Sequence, residues 1–222
     1  MIEYINSIDI SVFSFFNGLH NSYMDNLMWF FTGKFTWVPM CCILLFFMFY
    51  KNWKQAVLIL LMIALVITFA DQISSTLIKP FVQRLRPSHN EDLSATIHIL
   101  NDYRGGLYGF VSSHAANSFG VTFLLLMVFR KWYFSSTILI WAILVSYSRI
   151  YLGVHYPGDI LGGAAIGFLC GWVVYIIYSR IGKLRYFKGA FEKPFPEKYV
   201  KYVTCGILVN MLAVAFAAVF YV

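Results

Sequence analysis

The chain has 222 residues, 60% of them hydrophobic and 19% aromatic, only 12% charged, with a formal net charge of +7. Soluble domains carry about 25% charged residues, so the composition excludes an ordinary water-soluble globule and marks an integral membrane protein. A positive balance would suit nucleic acid, but these lysines and arginines flank apolar runs instead of building a basic, aromatic-interleaved face, so no nucleic-acid partner is expected.

Residues 5–16 mix Ile8, Ile10, Val12, Phe13 and Phe16 with Asn6, Asp9, Ser11 and Ser14. The stretch is too short and too polar to span, and predicts an amphipathic helix lying at the membrane interface. The N-terminus lacks a basic region and a small-residue cleavage site, so no signal peptide is expected. Asn17-Gly18-Leu19-His20-Asn21-Ser22 breaks the helix, and His20 reads as an interfacial polar residue. Residues 24–34 are half-apolar and end at Gly33-Lys34, and part of the stretch is read as a backward extension of the first span.

Apolar runs at 35–50, 55–78, 113–129, 133–148, 159–178 and 202–221 predict six crossings at about 20 residues each. The expected fold is all-α: a six-span transmembrane helical bundle with an N-terminal interfacial helix, forming one domain over 1–222. No internal repeat is evident. Asp71 lies inside the second run and is expected to face protein. Cys41, Cys42, Cys170 and Cys205 have no metal-ligand spacing and read as packing residues.

Orientation follows from the cations. Lys51, Lys54, Arg130, Lys131, Arg180, Lys183, Arg185, Lys188, Lys193, Lys198 and Lys201 fall after the first, third and fifth runs. Lys34, Lys79, Arg84, Arg86, Arg104 and Arg149 fall on the other side. The richer side is cytoplasmic by the positive-inside rule. The basic 179–201 segment is then an inner-face anchor against anionic lipid. The long polar loop 79–112 and the turn 148–159 share the outer face.

Three pieces of chemistry meet on that face. Lys79, Arg86 and Arg149 are cations suited to one dianionic head group, and Arg can clamp phosphate through paired hydrogen bonds. Ser112 or Ser113 caps the third span, leaving free N–H groups and a positive helix end, with His114 in the first turn. His155 can attack as a nucleophile or move a proton, and Asp159 can fix its tautomer. Together these would stabilise charge on the equatorial oxygens of a transferring phosphoryl group. Each piece alone has a plainer reading as a snorkelling cation, a helix cap or an interfacial histidine.

The order Lys79 to Arg86-Pro87, then Ser112-Ser113-His114, then Ser148-Arg149 to His155 to Asp159 resembles the signature of the type 2 phosphatidic acid phosphatase superfamily. That pattern is K-x6-R-P, P-S-G-H and S-R-x5-H-x3-D. The first and third pieces match without change. In the second, Val111 stands for Pro and Ser113 for Gly, which places the loop geometry in question because Gly permits φ > 0 or close backbone approach.

The resemblance implies a membrane lipid phosphatase working without metal or other cofactor. It makes His155 the nucleophile, Asp159 its orienting partner and His114 the general acid. Lys79, Arg86, Ser112, Ser113 and Arg149 would bind phosphate. With the outer face given by the charge count, a bacterial inner membrane location with the site facing the periplasm is expected, with a lipid phosphate as partner and no obligate protein partner. A vanadium haloperoxidase shares the anion-binding pattern but resembles a soluble enzyme. A silent lipid-binding or transport protein would be expected to have lost His155 or His114. Lipid A phosphate, undecaprenyl diphosphate and phosphatidylglycerol phosphate remain as substrates. The small size and the loop 88–110, with His89, His98 and Arg104 expected at the head group, are similar to lipid A 4'-phosphatases of the superfamily.

Overall fold

A computed structural model describes residues 2–184 and 195–221. Arg185, Lys188 and Lys193 of the expected inner anchor lie outside the described residues. Every regular element among those described is helical, and the one strand-like feature is an isolated bridge between Leu85 and Tyr108. The helices are α1 (Ile2–Gly18), α2 (Ser22–Thr32), α3 (Val38–Asp71), α4 (Lys79–Val82), α5 (Ser113–Phe129), α6 (Trp132–Tyr151), α7 (Pro157–Ile181) and α8 (Glu197–Phe220). Four segments are long and apolar enough to cross a membrane: Phe35–Val82, Trp132–Tyr151, Pro157–Ile181 and Glu197–Phe220. Ser113–Phe129 is apolar but shorter.

The sequence reading divided 35–78 into two runs, and the structure divides it at one residue. The 34 residues of α3 would reach about 50 Å if straight, well beyond a hydrocarbon core of about 30 Å. Asn52 leaves helical geometry at φ −157° and ψ 90°, and its Oδ1 accepts the Gln55 N–H at 3.2 Å. It is an internal N-cap that starts the second half as a new helix. Residues 24–34 likewise form their own helix, not an extension of the first span. Asn21 caps α2 by accepting the Met24 N–H at 2.9 Å, and the helix stops at Gly33. Beyond Asp71 the chain continues as a π-helical stretch, Gln72–Ile78, into α4.

The centre of the bundle is the contact of α5 with α7. Gly163, Gly167 and Gly171 recur every fourth residue and lie against Ser112, Ala116 and Gly120. A Cβ on Gly163 would stand 2.5 Å from the Ser112 carbonyl oxygen, one on Gly167 2.5 Å from that of Ala116, and one on Gly171 2.7 Å from that of Gly120. The two backbones therefore meet directly, as small-residue stripes allow in membranes. This brings the N-termini of both helices to the same end, where the Ser112 N–H donates to the Asp159 carbonyl at 2.9 Å. Around this pair α3, α6 and α8 bury Met48, Ile59, Val66, Leu124, Phe134, Val174 and Ile207. Leu161, Val209, Leu212 and Phe216 stay exposed on the outside, as lipid-facing positions should.

α1 is present and longer than the expected 5–16. One face, Asp9, Phe13 and Asn17, docks on the protein. Asn17 Nδ2 donates to the carbonyls of His98 at 3.0 Å and Tyr151 at 2.8 Å, while its Oδ1 accepts the His98 N–H at 2.8 Å. Phe13 is fully buried edge-on to Tyr156. Tyr4, Ile8, Val12 and Phe15 remain exposed.

Candidate active site

The turn 152–156 between α6 and α7 is held by the left-handed Gly153 (φ +75°), where a Cβ would stand 2.8 Å from the His98 carbonyl oxygen. It places His155 with 1% of its surface exposed. Asp159, one turn into α7, turns Oδ2 back to His155 Nδ1 at 3.2 Å and to the Tyr156 N–H at 3.0 Å. On the other edge of the ring, Arg86 Nη1 stands 2.9 Å from His155 Nε2. A guanidinium can only donate, so Nε2 must be the unprotonated nitrogen and Nδ1 carries the hydrogen toward Asp159. Burial, and after it the charges of Arg86, Arg149 and Lys79, holds the imidazole well below its ordinary pKa. The ring is therefore neutral at pH 7, with its lone pair on Nε2.

Arg86 is itself buried and pinned, with Nε donating to the Tyr108 carbonyl at 3.2 Å and Nη1 to the Val154 carbonyl at 3.1 Å. Burial first, then the neighbouring Arg149, pushes its pKa down to about 10, which leaves it charged at pH 7. Arg149 comes from the last turn of α6 and donates to the hydroxyls of Thr32 and, at 3.2 Å, Tyr103. Its Nε is buried without a partner. A buried charged donor left unmatched is costly unless an anion takes it.

The helix start matches the expectation in one respect and resolves the open question in another. Ser112 is the N-cap of α5, its Oγ accepting the Ala115 N–H at 3.4 Å. Ser113 is not among the described residues with left-handed φ, which outside glycine are Gln83, Asn101, Asp102 and Arg130. No glycine conformation is needed there. Its hydroxyl instead accepts from Lys79 Nζ at 2.7 Å and lies 2.9 Å from Ser75 Oγ, which reaches Asp71 Oδ1 at 3.3 Å. Asp71 thus joins the cationic site through two hydroxyls. Ser113, His114 and Asp71 line a cavity of about 330 Å³ together with Lys34, Asn117 and Trp141.

All eight residues expected from the sequence converge at this end of the bundle. Three loop residues expected at the head group do otherwise. His98 Nε2 pairs with Asp25 Oδ1 at 2.8 Å, beside the Tyr151 hydroxyl, and stacks on His20 at 4.2 Å. Arg104 exchanges hydrogen bonds with Ser88, both at 2.8 Å, and His89 approaches the Gly105 carbonyl at 3.4 Å. They tie the loop to itself and to α1 and α2. Sequence reasoning missed Thr32, Lys34 and Tyr103, which lie far from the motifs and carry no local pattern. It also missed the partners of Asp159. Arg84 Nη1 donates to Asp159 Oδ1 at 3.0 Å, and Arg84 Nη2 pairs with Asp9 Oδ2 at 2.7 Å. Among the described residues no cluster of His, Cys, Asp or Glu is grouped to hold a metal ion.

A model of the PAP2 superfamily matches residues 57–183, which contain all eight residues expected from the sequence. The chain is 46% identical over 184 residues to a protein named lipid A 4'-phosphatase from Bacteroides thetaiotaomicron, covering 82% of this chain and 81% of that one. It is 38% identical to another so named from Porphyromonas gingivalis, covering 80% and 75%. The crystal structure of a transmembrane PAP2-type phosphatidylglycerolphosphate phosphatase from Bacillus subtilis superposes with a TM-score of 0.61 at 23% identity, covering 82% and 90%. Sequence match, shared fold and a buried His–Asp pair ringed by Lys79, Arg86 and Arg149 agree, and the chain belongs to the PAP2 superfamily.

Proposed function

We propose that this chain is a lipid phosphatase that removes a phosphate monoester from lipid A by way of a phosphohistidine. The observation carrying the chemistry is His155, oriented by Asp159 at Nδ1 and presenting Nε2 to the cations. A bound phosphate takes the guanidinium of Arg86 off Nε2 and engages Lys79, Arg149 and the free N–H groups at the start of α5. Nε2 then attacks phosphorus in line, forming the P–N bond as the P–O bond to the lipid breaks. Asp159 stabilises the positive ring that results. His114 gives the departing oxygen its proton, and the dianion brought among the cations favours that protonated state. Water, deprotonated by His114, next attacks phosphorus, breaks the P–N bond and releases inorganic phosphate. Side-chain cations supply the charge that a metal supplies elsewhere.

Lipid A is favoured because the two relatives named lipid A 4'-phosphatase match over most of the chain. A sugar alkoxide is also a poor leaving group, and needs the acid that His114 offers. The positive-inside count supports a periplasmic site in the inner membrane. The test is phosphate release from lipid A, undecaprenyl diphosphate and phosphatidylglycerol phosphate by wild type and His155→Ala. Lipid A should be turned over fastest. His155→Ala should retain less than about a thousandth of the rate, as for loss of a nucleophile. EDTA should leave wild-type activity intact. A preference for undecaprenyl diphosphate would overturn the substrate, and an active His155→Ala or rescue of an EDTA-inactivated enzyme by Mg²⁺ would overturn the mechanism.

A further inference from the structure

The signature residues account for Lys79, Arg86, Arg149, His155 and Asp159, but not for what holds Asp159 itself. Its carboxylate is completely buried. Oδ2 serves His155 and the Tyr156 N–H, and Oδ1 is taken by Arg84. The Arg84 guanidinium divides itself between two carboxylates, with Nη1 on Asp159 and Nη2 on Asp9. It lies 4.1 Å over the Tyr156 ring, whose edge contact with Phe13 closes the other side. Asp9 is only 11% exposed and Arg84 21%, so this is not a solvent-loosened surface pair. The second oxygen of Asp9 accepts the Gly158 N–H at 2.7 Å, at the start of α7. Asp9 and Phe13 are one turn apart on α1, so a single helix face supplies both contacts.

We propose that Asp9 and Arg84 are positioning residues for the reaction, a relay by which the N-terminal helix sets the angle of the Asp159 carboxylate against His155. The proposal rests on His155 being the nucleophile. Its physical content is the division of the guanidinium. With Asp9 present, Arg84 gives Asp159 one hydrogen bond to Oδ1, and Oδ2 stays with the imidazole. Without Asp9, both forks of Arg84 are free to close on Asp159, a bidentate pairing that competes with His155 for Oδ2. Substrate binding uses other side chains, so the loss should fall on turnover and not on affinity.

The experiment is steady-state kinetics on p-nitrophenyl phosphate, an activated monoester that makes the result independent of which lipid is natural. His155→Ala must first be inactive on it; if it is active, the nucleophile assignment fails and the relay with it. Asp9→Asn should lower kcat about tenfold and Arg84→Gln about a hundredfold, the range found when the partner that orients a metal-ligating imidazole is removed, with KM within about twofold of wild type. Asp9→Glu, which keeps the carboxylate, should recover most of the loss. The double variant Asp9→Asn/Arg84→Gln should be slowed by clearly less than the product of the two single losses, because Asp9 reaches the Asp159 carboxylate through Arg84. Asn17→Ala loosens the same helix without touching Arg84, and should lower the melting temperature while sparing kcat. Multiplying losses in the double variant, a rise in KM at constant kcat, or an equal kcat loss in Asn17→Ala would each overturn the relay.

Discussion

At the scale of single residues, the site depends on His155 being neutral. Arg86 faces Nε2 and Asp159 faces Nδ1, and a proton on both nitrogens would point one N–H at a guanidinium. Burial, followed by the three cations, lowers the pKa of the folded state. In the unfolded chain the ring takes its proton near pH 6.5. The unfolded state therefore binds more protons between its own pKa and the lower folded one, and stability falls as pH drops through that window. Thermal melting of the detergent-solubilised protein should hold steady above about pH 6.5 and decline below it, and the decline should be shallower in His155→Gln. An equal slope in wild type and His155→Gln would show that His155 is not the titrating group. Much of this residue-level picture was legible beforehand. The spacing of Lys79, Arg86, Arg149, His155 and Asp159 singles out side chains that the structure brings together, because the proposed phosphoryl chemistry would require those functional groups. Asp9, Thr32 and Tyr103 were not legible, because their role comes from helices packed across tens or more than a hundred residues of chain. Ser113 was legible only as a departure, and its bond to Lys79 shows that a hydroxyl at this position joins the cation network instead of opening the backbone.

At the scale of elements, the sequence showed the apolar runs but not their terminations. Asn52 and Asn21 act as caps, a function readable only when the following N–H groups are known to be exposed; the breaks around them were expected, but not which side chain closes each one. Gly163, Gly167 and Gly171 stand four residues apart, a spacing that takes on meaning only once the partner helix is identified. With α5 as that partner, the glycines are the reason Ser112 and Asp159 share a hydrogen bond. Gly167→Val should separate α5 from α7, since even a Cβ there would stand 2.5 Å from the Ala116 carbonyl oxygen and 2.7 Å from the Gly120 amide nitrogen. Overpacking of this kind costs about 1–3 kcal/mol. The expected outcome is a lower melting temperature together with a loss of turnover larger than the stability change explains. Gly18→Ala has nothing within 4 Å of the added methyl and serves as the control. Retention of full activity in Gly167→Val would mean that the α5–α7 spacing does not govern the site.

At the scale of the whole molecule, the ends of the bundle differ in kind. One end gathers the phosphate-site cations, and the other carries Lys131 paired with Glu197 at 3.2 Å and Gln55 bonded to the Tyr178 hydroxyl at 3.0 Å. The charge count predicts that the first end faces outside. Single cysteines at Glu91 and Lys183 in a cysteine-free background, with a membrane-impermeant thiol reagent on intact spheroplasts, should give label at Glu91 and none at Lys183. The opposite pattern would move the site to the cytoplasm. Orientation is predicted from Lys and Arg alone because it is set by charge against the membrane, independently of how the helices pack, and the labelling pattern is its test. The backbone-to-backbone seam of α5 and α7 also bears on how the enzyme meets membranes of different thickness. A bilayer too thick or too thin loads the helices with a fraction of a kcal/mol per Å. Side-chain packing can yield to such a load by changing rotamers, but a seam of bare backbone has no rotamers to change. The break at Asn52 lies beside Gln55, which bonds Tyr178, at the end of the bundle away from His155. The molecule therefore meets a change of host lipid with a stiff α5–α7 seam, which holds His114 and His155 at a fixed separation.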